Sequence, residues 1–196
     1  MNLIERLDEA RRRTNVLDHP FYRRWERGEL TREELAFYAA EYRHAVVALA
    51  DAAAVAGDEA HAAEESAHID LWDDFAAAVA APVVQEPRAE TRVCADTWRR
   101  NDPLEARAVL YAIEAGQPTV SQTKLDGLVE HYGFNAGTAE TAYFELHAER
   151  DHAHAAESRQ ILEQTNEANA DRLVATAEEA LSGNWKLLDG VEAAFR

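Results

Sequence analysis

Apolar residues recur along this chain every three or four positions, and no stretch sustains the every-second-residue alternation of a strand. After Thr31, the residues Leu35, Tyr38, Tyr42, Val46 and Leu49 fall on or near one helical face. The punctuation agrees with the periodicity. Thr31 followed by Glu34 is a capping box, and Asp102-Pro103 sets a cap before a proline at the first helical position. Gly28, Gly57-Asp58 and Gly133 interrupt the periodic runs. The pattern predicts helices over about 2–13, from His19-Pro20 to Gly28, from Thr31 to about 55, and over about 58–80 and 88–100. A longer helix is expected from Pro103 to about Tyr132, kinked at Gly116-Gln117-Pro118. The next is capped within Asn135–Thr138 and runs to about Gln164, and the last covers about 166–181 before the chain closes through SGNWKLLDG. An all-α bundle of seven to eight helices in one domain, residues 1–196, is the expected architecture.

The polar positions inside these helices carry the chemistry. His61, Glu65 and His68 are spaced i, i+4, i+7, and so are His147, Asp151 and His154. On a helix each triplet forms one stripe. Between them Glu114 sits in the apolar context VLYAIEAGQP, where an unpaired carboxylate is costly and a cation or metal resolves the cost. A bundle core in which carboxylates and imidazoles from several helices converge is how a di-iron or di-manganese site is built, and Glu-x-x-His is its signature. A lone helical histidine is more often a packed core residue, but two matched stripes argue for a site. His61 either replaces Glu65 as a ligand or supports the site from outside. Glu65 is favoured because a carboxylate can bridge two ions. Glu64 and His152 are expected to face solvent.

Lys124 lies among Val120, Leu125 and Leu128, and is either a snorkelling surface residue or a buried amine. Tyr22, Tyr38, Tyr42, Tyr111 and Tyr143 read first as packing residues with a bonded hydroxyl. Tyr143 stands one turn before His147, which places its ring near the proposed ions.

The formal net charge of −17 argues against nucleic acid as a partner, because phosphate binding needs clustered basic residues. No run reaches the length of a membrane span, so no membrane partner is expected. Cys94 is the single cysteine and cannot form an internal disulfide. The amphipathic start MNLIERLDEARRR lacks a signal-peptide core, and a cytoplasmic location is the expectation. Nucleotide-binding glycine motifs, nucleophile elbows and CxxC pairs are absent.

The segments HPFYRRWERGELTREEL, ESAHIDLW, LYAIEAGQP and HAERDHAH, closed by NWKLLDG, resemble the TenA/PqqC superfamily with its haem-oxygenase-like fold. Within it, His147-x3-Asp151-x2-His154 is similar to the motif of the di-iron oxidases, and the wider pattern resembles the CADD-like 4-aminobenzoate synthases. The resemblance implies metal ligands at Glu65 (or His61), His68, Glu114, His147, Asp151 and His154. It implies two Fe ions or an Mn/Fe pair, O2 and an external reductant, and a homodimer as the common assembly. The substrate would be a small molecule or the protein's own side chains. In the CADD-like group a tyrosine supplies the ring of 4-aminobenzoate and a lysine is implicated as amine donor. The resemblance puts Tyr22 or Tyr38 in the first role, Lys124 in the second, and Tyr143 as a relay beside the ions. One departure stands out. The CADD-like pattern has its first carboxylate ligand seven residues before the first histidine, where this chain has His61. Glu65 sits three before, as in the UndA-like oxidative decarboxylases, which act on an external substrate. A TenA-like thiaminase or aminopyrimidine hydrolase is the metal-free alternative and would need a nucleophilic cysteine. A non-catalytic protein with a vestigial site is the third.

Overall fold

The computed structural model describes residues 1–196. Nine α-helices follow one another: α1 (Leu3–Arg13), α2 (Pro20–Glu26), α3 (Arg32–Ala56), α4 (Glu59–Ala78), α5 (Ala89–Trp98), α6 (Pro103–Glu114), α7 (Gln117–His131), α8 (Ala142–Glu163) and α9 (Ala170–Ala193). Short 3-10 turns at Val16–Asp18 and Glu167–Asn169 complete the chain. There is no strand, and no helix is long and apolar enough to cross a membrane.

The caps work as their residue types require. Thr31 accepts from Glu34 N while Glu34 accepts from Thr31 N, and Asp102 accepts from Leu104 N and Glu105 N. Asn2 and Glu5 form a second capping box, one the sequence reading passed over. Three expectations about boundaries are corrected. The segment 103–132 is two helices and not one kinked helix, which lifts the count to nine. The last amides of α6 turn back on it, Ala115 N to Tyr111 O at 3.1 Å and Gly116 N to Ile113 O at 3.2 Å. Pro118, in the first turn of α7, has no N–H to carry an unbroken ladder. Helix α8 starts at Ala142, later than expected, because Thr141 Oγ1 is bound to Asn135 O at 3.1 Å and holds residues 135–141 in a turn. Helix α9 runs straight through Ser182-Gly183-Asn184 to Ala193. Those residues look like a break in isolation, yet a Cβ at Gly183 would lie 2.3 Å from Thr97 Oγ1 and 3.1 Å from Cys94 Cα. The glycine is there so that α9 can lie against α5.

Helix α3 runs through the core and packs against α4, α5, α6 and α9. Its alanines Ala39, Ala45, Ala48, Ala52 and Ala53 are fully buried and let these neighbours come close. Three buried tryptophans tie helices to one another through their indole N–H: Trp25 to Lys124 O at 3.0 Å, Trp72 to Ala39 O at 2.9 Å and Trp98 to Ala180 O at 3.0 Å. The scaffold thus aims the inner faces of α4, α6 and α8 at one volume, and those of α2, α3 and α7 at the volume beside it.

Candidate metal centre

All seven acid and imidazole side chains singled out from the sequence point into the first volume. His61, Glu65 and His68 come from α4, Glu114 is the last residue of α6, and His147, Asp151 and His154 come from α8. None is more than 4 % exposed. Their ligand atoms form two overlapping groups, each within 4.8 Å: His61, Glu65, Glu114 and His154, and Glu65, His68 and His147. Glu65 belongs to both. His61 Nε2 lies 2.9 Å from Glu114 Oε1 and 3.7 Å from Glu65 Oε1, and His68 Nδ1 lies 3.0 Å from Glu65 Oε1. His154 Nδ1 is 3.8 Å from Glu65 Oε1 and 4.0 Å from Asp151 Oδ1. The choice between His61 and Glu65 is therefore not forced, since both face inward.

The electrostatics are those of a site built for cations. Burial raises the Asp151 carboxyl to about 9, helped by Glu114 and Glu65. Burial also raises Glu114 to about 7 against the pull of His61. Glu65 is buried too, but the adjacent imidazoles of His61 and His68 prevail and hold it below the usual carboxylate range. For His61, burial is outweighed by Glu114 and Glu65, which raise it to about 10; burial lowers His147 to about 4. Ten donor and acceptor atoms in this cluster are buried without an aligned hydrogen bond: the close pairs His61–Glu114 and His68–Glu65 are misdirected, and both oxygens of Asp151, Glu114 Oε2, His147 Nε2 and His154 Nδ1 are also unpaired. Native interiors seldom leave such groups unpaired, and an ion is one explanation for them. Three carboxylates with four imidazoles is a donor set for first-row divalent cations. The residues present fit an iron site.

Two histidines are oriented from behind. His147 Nδ1 meets Tyr143 O at 2.7 Å, which leaves Nε2 facing the cluster. His154 Nε2 meets Glu64 Oε2 at 3.1 Å, and Arg150 Nε and NH2 grip Glu64 at 2.9 and 2.5 Å. Glu64 is thus not free in solvent as expected. Its partners lie on another helix, and no local spacing announces them. His152 is exposed, as expected.

The second volume holds Lys124, which is completely buried and does not snorkel. Its Nζ has no hydrogen-bond partner and no carboxylate beside it. It lies 4.6 Å from the Tyr42 ring centre, 5.2 Å from Tyr22 and 5.6 Å from Tyr38. Burial lowers the amine to about 7. Tyr22 and Tyr38 share a hydrogen bond between hydroxyls at 2.9 Å, and burial raises both phenols. Tyr143 stacks on His147 with ring centres 4.0 Å apart, and Trp72 stands at 4.9 Å from Tyr143 and 5.1 Å from Tyr42. Tyr42 and Trp72 join the two volumes. Tyr42 stands in the sequence as a packing residue; its offset of four from Tyr38 is the signal that it shares that face. Tyr111 lies elsewhere and bonds Asp8 at 2.8 Å. Cys94 is buried against α9, and burial raises its thiol, so it offers no support to a cysteine-dependent hydrolase.

The chain resembles known proteins over most of its length. A family model described as an iron-containing redox enzyme matches residues 30–185. A 4-aminobenzoate synthase from Chlamydia muridarum is 31% identical, the alignment covering 96% of this chain and 89% of that protein. A domain with a heme oxygenase-like fold from Shewanella denitrificans superposes with TM-score 0.74 at 18% identity, covering 98% of this chain and 90% of its own. A TenA homologue from Pseudomonas syringae pv. tomato gives TM-score 0.74 at 19% identity, with 97% and 91% covered.

Proposed function

This chain belongs to the haem-oxygenase-like family of iron-containing redox enzymes, and on that premise we propose that it is a di-iron (or Mn/Fe), O2-dependent 4-aminobenzoate synthase that consumes its own tyrosine and lysine. The observation that carries the reading is the placement of Lys124. Its Nζ is sealed among three tyrosine rings at 4.6 to 5.6 Å, one aromatic layer from the carboxylate–histidine cluster. A packing role alone gives no reason for an unpartnered amine there.

His61, Glu65, Glu114 and His154 would hold one ion and Glu65, His68 and His147 the other, with Asp151 alongside and Glu65 common to both. When bound, the ion pair supplies the electrons by which O2 becomes the oxidant, an external donor replacing them. The chain's own groups do the rest. 4-Aminobenzoate has the six ring carbons and one carboxylate carbon, so the Cα–Cβ bond of the consumed tyrosine would break and Cβ would be oxidised to the carboxylate, while Nζ of Lys124 would replace the phenolic oxygen and part from Cε, O2 serving as the oxidant of both Cβ and Cε. Burial keeps a large share of Lys124 neutral near pH 7, so its lone pair is available. The paired hydroxyls of Tyr22 and Tyr38 give a phenolic proton somewhere to go in a volume without water-exposed groups. Tyr143, stacked on His147, is the first ring on the way from the cluster.

Complementation of a 4-aminobenzoate auxotroph tests this directly. Wild type should restore aerobic growth, while Lys124→Arg and the double variant Tyr22→Phe/Tyr38→Phe should not. Equal rescue by these variants would end the self-sacrifice reading. No rescue by wild type in iron-replete, aerobic medium would end the product assignment.

A further inference from the structure

Helices α4 and α8 both carry ligand-type residues, and one contact between them has a geometry of its own. Glu64 precedes Glu65 on α4 and therefore points about 100° away from the inner stripe. Both its oxygens are taken. Arg150 of α8 donates to Oε1 through NH2 at 2.5 Å and to Oε2 through Nε at 2.9 Å, a two-pronged grip. Oε2 also receives Nε2 of His154 at 3.1 Å. An ion pair with Glu64 35% and Arg150 49% exposed is by itself worth little. The histidine makes the difference. It is nearly fully buried, and its other nitrogen, Nδ1, faces Glu65 and Asp151 without a hydrogen-bond partner.

We propose that Glu64 is a positioning residue for one half of the metal centre: it holds His154 through Nε2 so that Nδ1 is presented to the ion bound with His61, Glu65 and Glu114. Arg150 fixes the carboxylate that does this. The other half is oriented differently. His147 is held by the main-chain oxygen of Tyr143 one turn earlier on its own helix, so its pose is set once α8 forms. The two histidines of α8 therefore present opposite nitrogens, Nε2 from His147 and Nδ1 from His154. Only the second pose depends on α4 and α8 lying together. Carboxylates in this relation to a ligating imidazole fix its ring orientation and raise its basicity.

This inference rests on the metal-binding reading of the cluster, and the experiment separates the two. The metal-free full chain is titrated with Co2+, followed by absorption and by equilibrium dialysis, for wild type, Glu64→Ala, Glu64→Gln and Arg150→Ala. The thermal midpoint of each metal-free protein is recorded in parallel. Glu64→Ala should weaken one of the two ions by about 10–100-fold, change the absorption of that ion, and leave the other as in wild type. Glu64→Gln keeps an acceptor for Nε2–H and should lose less than tenfold. Arg150→Ala should fall between wild type and Glu64→Ala. Metal-free midpoints should differ little. Wild-type affinity for both ions in Glu64→Ala overturns the proposal while sparing the metal centre. Equal weakening of both ions, in step with a lowered metal-free midpoint, also overturns it, because Glu64 would then only hold the helices together. If wild type binds no Co2+, the metal reading and the proposal fall together.

Discussion

The two buried volumes solve one problem in opposite ways. The α4/α6/α8 cluster gathers three carboxylates and four imidazoles, all buried, and their unpaired atoms converge. The α2/α3/α7 chamber holds a single amine surrounded by ring faces, with no acid near it. The first volume carries negative charge that an ion can neutralise. The second offers its cation only the weak attraction of aromatic faces, so burial there makes the amine far easier to deprotonate, lowering it to about 7. The difference teaches that buried polarity is tolerated by recruiting a counter-charge where donors converge and by neutralisation where they do not. On the proposed function, the two lie side by side because the first would hold the oxidant and the second the groups to be oxidised.

The largest effect that would break this comparison is loss of an ion. His147→Ala should drop the metal content of iron-supplemented protein from about two ions per chain by at least one, as read by elemental analysis. If wild type holds no iron, the first volume is a polar core without an ion, and the contrast collapses.

Next in size is the chamber's response to removing its amine. Lys124 has a folded-state pKa of about 7, below its ordinary 10.5, so the unfolded chain binds the proton more tightly. Its contribution to stability is therefore intact above pH 10.5, falls as the pH drops toward 7, and levels off below that. Lys124→Met, apolar and similar in shape, should stabilise the protein by about 4–5 kcal/mol at pH 6, with the gain shrinking to nothing near pH 11. Denaturant unfolding at several pH values measures it. A pH-independent difference would mean that the amine is not the buried charge inferred here.

The smallest of the three sharpens the chamber's outline. A Cβ at Gly127 would lie 2.6 Å from Trp25 Cδ1 and 3.3 Å from Trp25 O. Gly127→Ala should push the indole that packs on Tyr38 and bonds Lys124 O, costing about 1–3 kcal/mol. Metal content should stay at the wild-type level, since the rings that Trp25 packs on, Phe21, Tyr22, Tyr38 and Tyr132, are not part of the cluster. Loss of metal in this variant would show the two volumes to be mechanically one.

Much of this was legible in the chain because the signals are local. The Thr31–Glu34 and Asp102-Pro103 caps fix helix starts from four residues or fewer. The ligand stripes at 61–68 and 147–154 are set by spacing within single helices, and they do converge. What was illegible depends on partners distant in sequence. Gly183 reads as a stop until Thr97 and Cys94 are seen against it. Glu64 reads as solvent-facing because Arg150 and His154 stand 86 and 90 residues away. Glu114 stands out in the sequence as an acid in an apolar run, and it lies buried beside His61, but the helix expected to continue past it ends there. Lys124 was an open question because a lysine stem can cover a surface or fill a core, and only the packing of α2, α3 and α7 decides.

The seal around Lys124 has a consequence for timing. Tyr22, Tyr38 and Lys124 are each no more than 1% exposed, and the hydrogen bond from Trp25 to the Lys124 carbonyl joins α2 to α7 across the chamber. A product released inside would have no standing exit and would need the helices around it to part, α2 from α7 for one. Egress is then paced by the breathing of the fold, and the amide of any α7 residue exchanging with deuterium on that same clock would report the door opening.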